Sequence, residues 1–163
     1  MNDHTPDNES QHKEIIQWAR ERLTSLGFTL KNNLPENVLH TPWSYIVRFE
    51  TSAGYIYMKH TPELISLEAD IINILHDTFN IRVPKIIAHN AKLNCFLMED
   101  AGRSLREILK QKFDTELFCK AINNFTSMQL AVVGNVSAFI DIGVPDWRLD
   151  KLPDLYMQLL KQK

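Results

Sequence analysis

Lys59 closes the alternating run Tyr55-Ile56-Tyr57-Met58-Lys59, and nine residues later comes Glu68. The intervening Thr61-Pro62-Glu63 predicts a helix start, with Thr61 as cap and Pro62 in the first turn. The apolar periodicity carries that helix to about Phe79, with Leu64, Leu67, Glu68, Ile71 and Leu75 on one face. A carboxylate on a core-facing stripe is costly unless it is paired. The nearest cation able to pair with it is Lys59 on the adjoining strand. A lysine steadied by a carboxylate is a flexible, charged head suited to phosphate oxygens. The plainer alternative is a strand-end lysine and a solvated helix glutamate.

Two further segments could carry chemistry. Phe96-Leu97-Met98-Glu99-Asp100-Ala101-Gly102 reads as a buried strand opening into a polar exit. Backbone groups at such an exit can pair with the edge of a flat ring, and small residues there let the ring approach. Thr41-Pro42-Trp43-Ser44 reads as a turn between strands that can offer N–H groups and the Ser44 hydroxyl to phosphates. Each also has a simpler reading, as a strand-to-helix link and as a proline turn with a packed tryptophan. His40, His60, His76 and His89 are scattered singly and read as surface or second-layer residues. Asp141, Asp146, Asp150 and Asp154 form a loose acidic row, with Asp146 and Asp150 placed to cap short helices. Trp18, Phe125 and Met128 read as core.

The elements that must position these residues follow from pattern and punctuation. Residues 1–9 are expected to be a disordered tail. Ser10 can cap a helix reaching about Leu26, stopped by Gly27. Extended segments follow at 28–30 continuing to 37–40, at 45–51 and at 55–59, the last two joined by Ser52-Ala53-Gly54 as a hairpin. After the Glu68 helix come strands at 83–88 and 95–98. Helices are then expected at 104–110, from an Asp114 cap to about Val133, at 136–142 and at 151–163. In the second of these, Leu117, Ala121, Phe125 and Met128 point inward. The order is α+β, a small antiparallel sheet followed by a helical part.

Composition narrows the function classes. The chain has 163 residues, 44% apolar and 23% charged, the ordinary balance of a soluble globular protein. A net charge of −2 gives no field for nucleic acid and no polybasic run for an anionic membrane. Apolar runs are too short for a transmembrane span, and the polar, acidic start is not a secretory signal. Cys95 and Cys119 sit among apolar neighbours and read as buried free thiols of a reducing, cytoplasmic protein. There is no CxxC or HExxH spacing for zinc.

Five segments, in order and spacing, resemble the aminoglycoside phosphotransferase and choline kinase-like family, from about residue 10 to the end. They are Trp18-Ala19 with Leu23; Pro42-Trp43-Ser44-Tyr45-Ile46-Val47-Arg48 leading to Gly54 and Met58-Lys59-His60; Glu68-Ala69-Asp70 with Leu75; Phe96 to Gly102 with Leu105; and Gly143-Val144-Pro145-Asp146-Trp147-Arg148-Leu149. The resemblance implies a kinase-like nucleotide-binding lobe over 10–102, a hinge at about 98–102 and part of a helical lobe over 103–163. It implies ATP with Mg2+ as ligand. Lys59 would contact the α- and β-phosphates and Glu68 would orient it. Ser44 would lie under the phosphate-covering turn, Met98 at the back of the adenine pocket, and the Glu99 carbonyl and Ala101 amide on the adenine edge.

One departure sets the expected limit. The family's catalytic loop is His-x-Asp-x-x-x-x-Asn followed by a metal-binding Asp. No histidine follows His89, and no Asn stands five residues after Asp114, Asp141, Asp146, Asp150 or Asp154. The expectation is a chain that stops before the catalytic loop, with no catalytic or metal-ligating residue of its own, and that holds nucleotide weakly without transferring phosphate. The alternative is a non-catalytic interaction module that dimerises or binds a partner chain through the surface the missing lobe would cover.

Overall fold

In the computed structural model, residues 6–161 are described. The first helix, α1 (Pro6–Ser25), begins four residues before the expected Ser10 cap, and the rest of the expected tail, residues 1–5, lies outside the described residues. Its end is a Schellman arrangement. The Phe28 N–H donates to Leu23 O and the Gly27 N–H to Thr24 O, with Gly27 at φ +86°, a region that favours glycine.

Five antiparallel strands follow: β1 (Glu36–Thr41), β2 (Ser44–Thr51), β3 (Gly54–His60), β4 (Ile86–Asn90) and β5 (Cys95–Glu99), in the order β1-β2-β3-β5-β4. Pro42-Trp43 and Ser52-Ala53 turn the first two hairpins, as the sequence suggests, and residues 91–94 turn the third, from β4 into β5. At the second turn the Thr51 hydroxyl accepts from the Ala53 N–H and donates to Gly54 O. Two strand boundaries differ from expectation. Residues 28–30 add only one bridge, Leu30 to Thr51. The strand expected at 83–88 starts at Ile86, because Pro84 has no N–H to give a ladder.

The sheet has two unlike faces. Along β2 the burial alternates strictly, with Tyr45, Val47, Phe49 and Thr51 buried and Ser44, Ile46, Arg48 and Glu50 half-buried. The buried face continues through Ile56 and Met58 on β3 and Cys95 and Leu97 on β5, and α1 covers it with Ile15, Ala19 and Leu23. Trp18 packs at the edge of this core as expected. Burial pushes the Cys95 thiol up to about 12, so it is a neutral apolar filler here.

The segment between β3 and β4 is not the continuous helix that the periodicity predicts. It is a 3-10 turn (Glu63–Ile65), then α2 (Glu68–Asn73), then a π turn (Ile74–Thr78). Thr61 does not cap it; its hydroxyl donates to Ile65 O, while the Ser66 N–H and hydroxyl both donate to Glu63 O. These local bonds compete with the i→i−4 ladder and split the helix at its start. Leu64, expected on the core face, is 95% exposed.

The helical part comprises α3 (Leu105–Gln111), α4 (Thr115–Val133), α5 (Ser137–Ile140) and α6 (Leu152–Lys161). Asp114 caps α4 as expected, its Oδ1 accepting from the Leu117 N–H, while Ser104, expected as the first helical residue, is the cap of α3, its Oγ accepting from the Glu107 N–H. Its packing is thin. Among the described residues none after Leu97 is fully buried. Leu117, Ala121 and Met128 are half-buried, but Phe125, expected inside, is 57% exposed, and Cys119, expected buried, is exposed. Offset stacking of Phe79 on Phe139, centroids 6.0 Å apart, joins α5 to the end of the π turn.

Candidate functional site

The half-buried face of the sheet, opposite α1, carries the expected residues. Ile46 pairs in register with Lys59, Lys59 with Phe96, and Tyr57 with Met98. Since side chains alternate along each strand, Ser44, Lys59 and Met98 share this face. Glu68 reaches it from α2. Lys59 Nζ donates to Glu68 Oε1 at 2.7 Å and lies 2.6 Å from Oε2, so one ammonium faces both carboxylate oxygens. Glu68 is the first residue of α2, where a negative charge meets free backbone N–H groups, and not a member of a continuous apolar stripe.

The Lys59 side chain is 19% exposed and that of Glu68 36%. A pair this accessible contributes at most about 1 kcal/mol to stability. Its cation stays within reach of a ligand from solvent. His89 Nδ1 on β4 lies 3.7 Å from Asp70 Oδ1, beyond hydrogen-bond length. Ala69, between Glu68 and Asp70, is fully buried and fixes the helix against its neighbours.

Ser44 sits at the end of the β1–β2 hairpin, where Thr41 Oγ1 donates to the Ser44 carbonyl. Its own Oγ is buried and, among the described residues, has no hydrogen-bond partner. Such an orphaned hydroxyl calls for an explanation, and a bound polar group is one. Glu99 and Ala101 lie exposed where β5 leaves the sheet. Asp100 Oδ1 accepts from the Gly102 N–H at 2.8 Å, and Gly102 takes φ +78°, so this exit is a tight turn with an open backbone. No three donors that could hold a metal ion come together among the described residues.

Sequence reasoning missed the outer rim of this face. Arg48 donates to Glu36 and stacks over the Tyr55 ring at 4.3 Å. Glu36 and Tyr57 both hold the guanidinium charged by hydrogen bonding, raising its pKa. The alternation Tyr55-Tyr57-Lys59 was the available signal. Asp146 and Asp150 do not cap helices as expected, and Asp141 is the C-cap residue of α5. Asp146 accepts from the Arg148 N–H and from its guanidinium, which holds its carboxyl down to about 2, and Asp150 pairs with Lys151. A groove of about 600 Å3 lies away from Lys59, lined by Trp147, Leu152, Leu155, Tyr156, Gln158 and Leu159. It is apolar, and none of the expected site residues lines it. No helix of the described residues is long and apolar enough to cross a membrane.

No protein-family model matches the chain, and no curated protein matches it.

Proposed function

We propose that residues 10–102 form a kinase-like nucleotide-binding lobe of the aminoglycoside phosphotransferase type, and that this chain holds ATP with Mg2+ on the open face of its sheet. The Lys59–Glu68 bond from β3 to α2 carries the reading. The five-stranded antiparallel order, with a helix between β3 and β4, is the framework in which that bond has a phosphate-holding role. Lys59 then meets the α- and β-phosphates, Glu68 orients it, and the Ser44 hydroxyl gains the partner it lacks. Met98, with Tyr57 beside it, offers an apolar surface to the adenine ring, and the Glu99 carbonyl and Ala101 amide lie at its edge. These residues suit phosphates, not a protein-held ion, so Mg2+ arrives on the nucleotide. The 163 residues contain no His-x-Asp-x-x-x-x-Asn, so the role proposed is holding and not transfer.

Titration calorimetry with ATP and Mg2+ is the test. A dissociation constant on the order of 1 mM, about −4 kcal/mol, is expected, with at least tenfold weaker binding by Lys59→Ala. Absence of heat at several times that concentration leaves the fold without the function.

A second reading rests on a separate observation, the unburied helical part. The chain exposes 12158 Å2, whereas a compact 18.9 kDa chain exposes about 8,300 Å2. A stable dimer covers about 800 Å2 per partner, well within that difference. Phe118, Ile122 and Phe125 on α4, and Tyr156 and Leu159 on α6, are exposed apolar side chains that a second copy could cover. Sedimentation equilibrium is expected to show a dimer that Leu159→Glu with Phe125→Glu converts to monomer. A wild-type monomer at about 100 µM, where a dimer with a dissociation constant well below that value would form, removes this reading.

A further inference from the structure

Three of the histidines are not scattered. In register, His40 on β1 pairs with Tyr45 on β2, Tyr45 with His60 on β3, and His60 with Cys95 on β5. The row lies on the sheet face that α1 covers. His12 of α1 stacks on the Tyr45 ring at 4.0 Å between centroids, with the His40 ring 5.2 Å and the His60 ring 6.4 Å from it. His40 meets Tyr45 edge-on at 5.3 Å. Ile15, the first buried residue of α1 among those with described side chains, lies one turn further along the helix.

We propose that His12, His40 and His60, gathered around Tyr45, form an acid-released clasp that docks the first turns of α1 on the sheet at neutral pH and lets them go on mild acidification. Neutral imidazoles stack and meet edge-on without penalty; imidazoliums at these separations repel one another. Among residues with described side chains, the facing groups offer no counter-charge. Tyr45 is a phenol whose pKa burial raises, and Cys95 is a buried neutral thiol. Lys13 and Glu14 on α1 and Glu63 beyond His60 are exposed to solvent. Among residues with described side chains, the histidines that meet a carboxylate are His76, beside Asp77, and His89, near Asp70. Burial first, and then His40, lowers the pKa of His12; burial first, and then His12, lowers that of His60.

The sign follows from these directions. A histidine whose folded pKa lies below its unfolded 6.5 adds stability above 6.5. That stability is lost as pH falls from 6.5 through the folded value. Carboxylate protonation belongs to a lower range and does not imitate the effect.

The test uses the full chain. Ring proton shifts followed by NMR are expected to give His12 and His60 titration midpoints below 6.5. Backbone amide signals of residues 12–18 should change with the same midpoint while those of β5 stay fixed. The thermal midpoint should fall between pH 7 and pH 5.5, and His12→Phe, which keeps a ring on Tyr45 without a proton to gain, should flatten that fall at least twofold. Midpoints at or above 6.5, or a His12→Phe variant that is folded at pH 7 and as acid-sensitive as the wild type, overturn the proposal. If His12→Phe does not fold, His60→Gln carries the same comparison.

Discussion

Met58→Ala is expected to lower the free energy of unfolding by about 2–5 kcal/mol, the range for emptying a buried methionine site. Met58 has no exposed surface and sits at the centre of β3, with Val47 and Leu97 beside it in register and α1 above. Its neighbours belong to two strands and cannot collapse inward without breaking their ladders, so the cavity persists. The loss is a large fraction of the roughly 5–15 kcal/mol that holds a domain folded. Urea unfolding checks it: the midpoint should fall by about 1 M or more with little change in slope. A loss below about 1 kcal/mol would mean that the α1 face of the sheet is not the core. Lys59, one residue along the same strand, points to the other face, and its removal is expected to cost far less.

That contrast between neighbours shows what the sequence could and could not reveal. Period-two alternation in Tyr45–Thr51 and Tyr55–Lys59 marks both hairpin strands and assigns their faces, because a one-residue slip would bury the wrong set. Gly27 and Asp114 are legible for a similar reason: a left-handed stop and a side-chain cap are local chemistry. The Lys59–Glu68 contact was readable too, although by a partly mistaken route. The helix that carries Glu68 is broken by Thr61 and Ser66, whose hydroxyls seize backbone carbonyls, and no periodicity records that competition. The histidine cluster was invisible because His12, His40 and His60 converge from three elements, and only strand register places them side by side. Burial in the helical part was over-read. Phe125 and Cys119 lie on an apolar arc of α4 wider than the surface that covers it, and a sequence shows the arc without its cover.

The exchange Lys59→Glu with Glu68→Lys separates a structural ion pair from one that serves a ligand. It returns one ammonium and one carboxylate to the same β3–α2 position, so the contribution of the pair, at most about 1 kcal/mol, is largely retained. Urea unfolding of the exchanged chain should therefore fall within about 1 kcal/mol of the wild type. Its nucleotide affinity should not survive. The strand now presents a carboxylate to the triphosphate, and a like charge set against a bound phosphate costs several kcal/mol, about a hundredfold or more in affinity. Calorimetry with ATP and Mg2+ on the two chains, at equal stability, reads this directly. Equal affinity in both would make the pair a strap between sheet and helix and nothing more. Loss in the exchanged chain alone would fix the meaning of the geometry: Glu68 holds the lysine where the open face needs a cation, and the sign of the charge on β3, rather than the existence of the bond, is what the ligand requires.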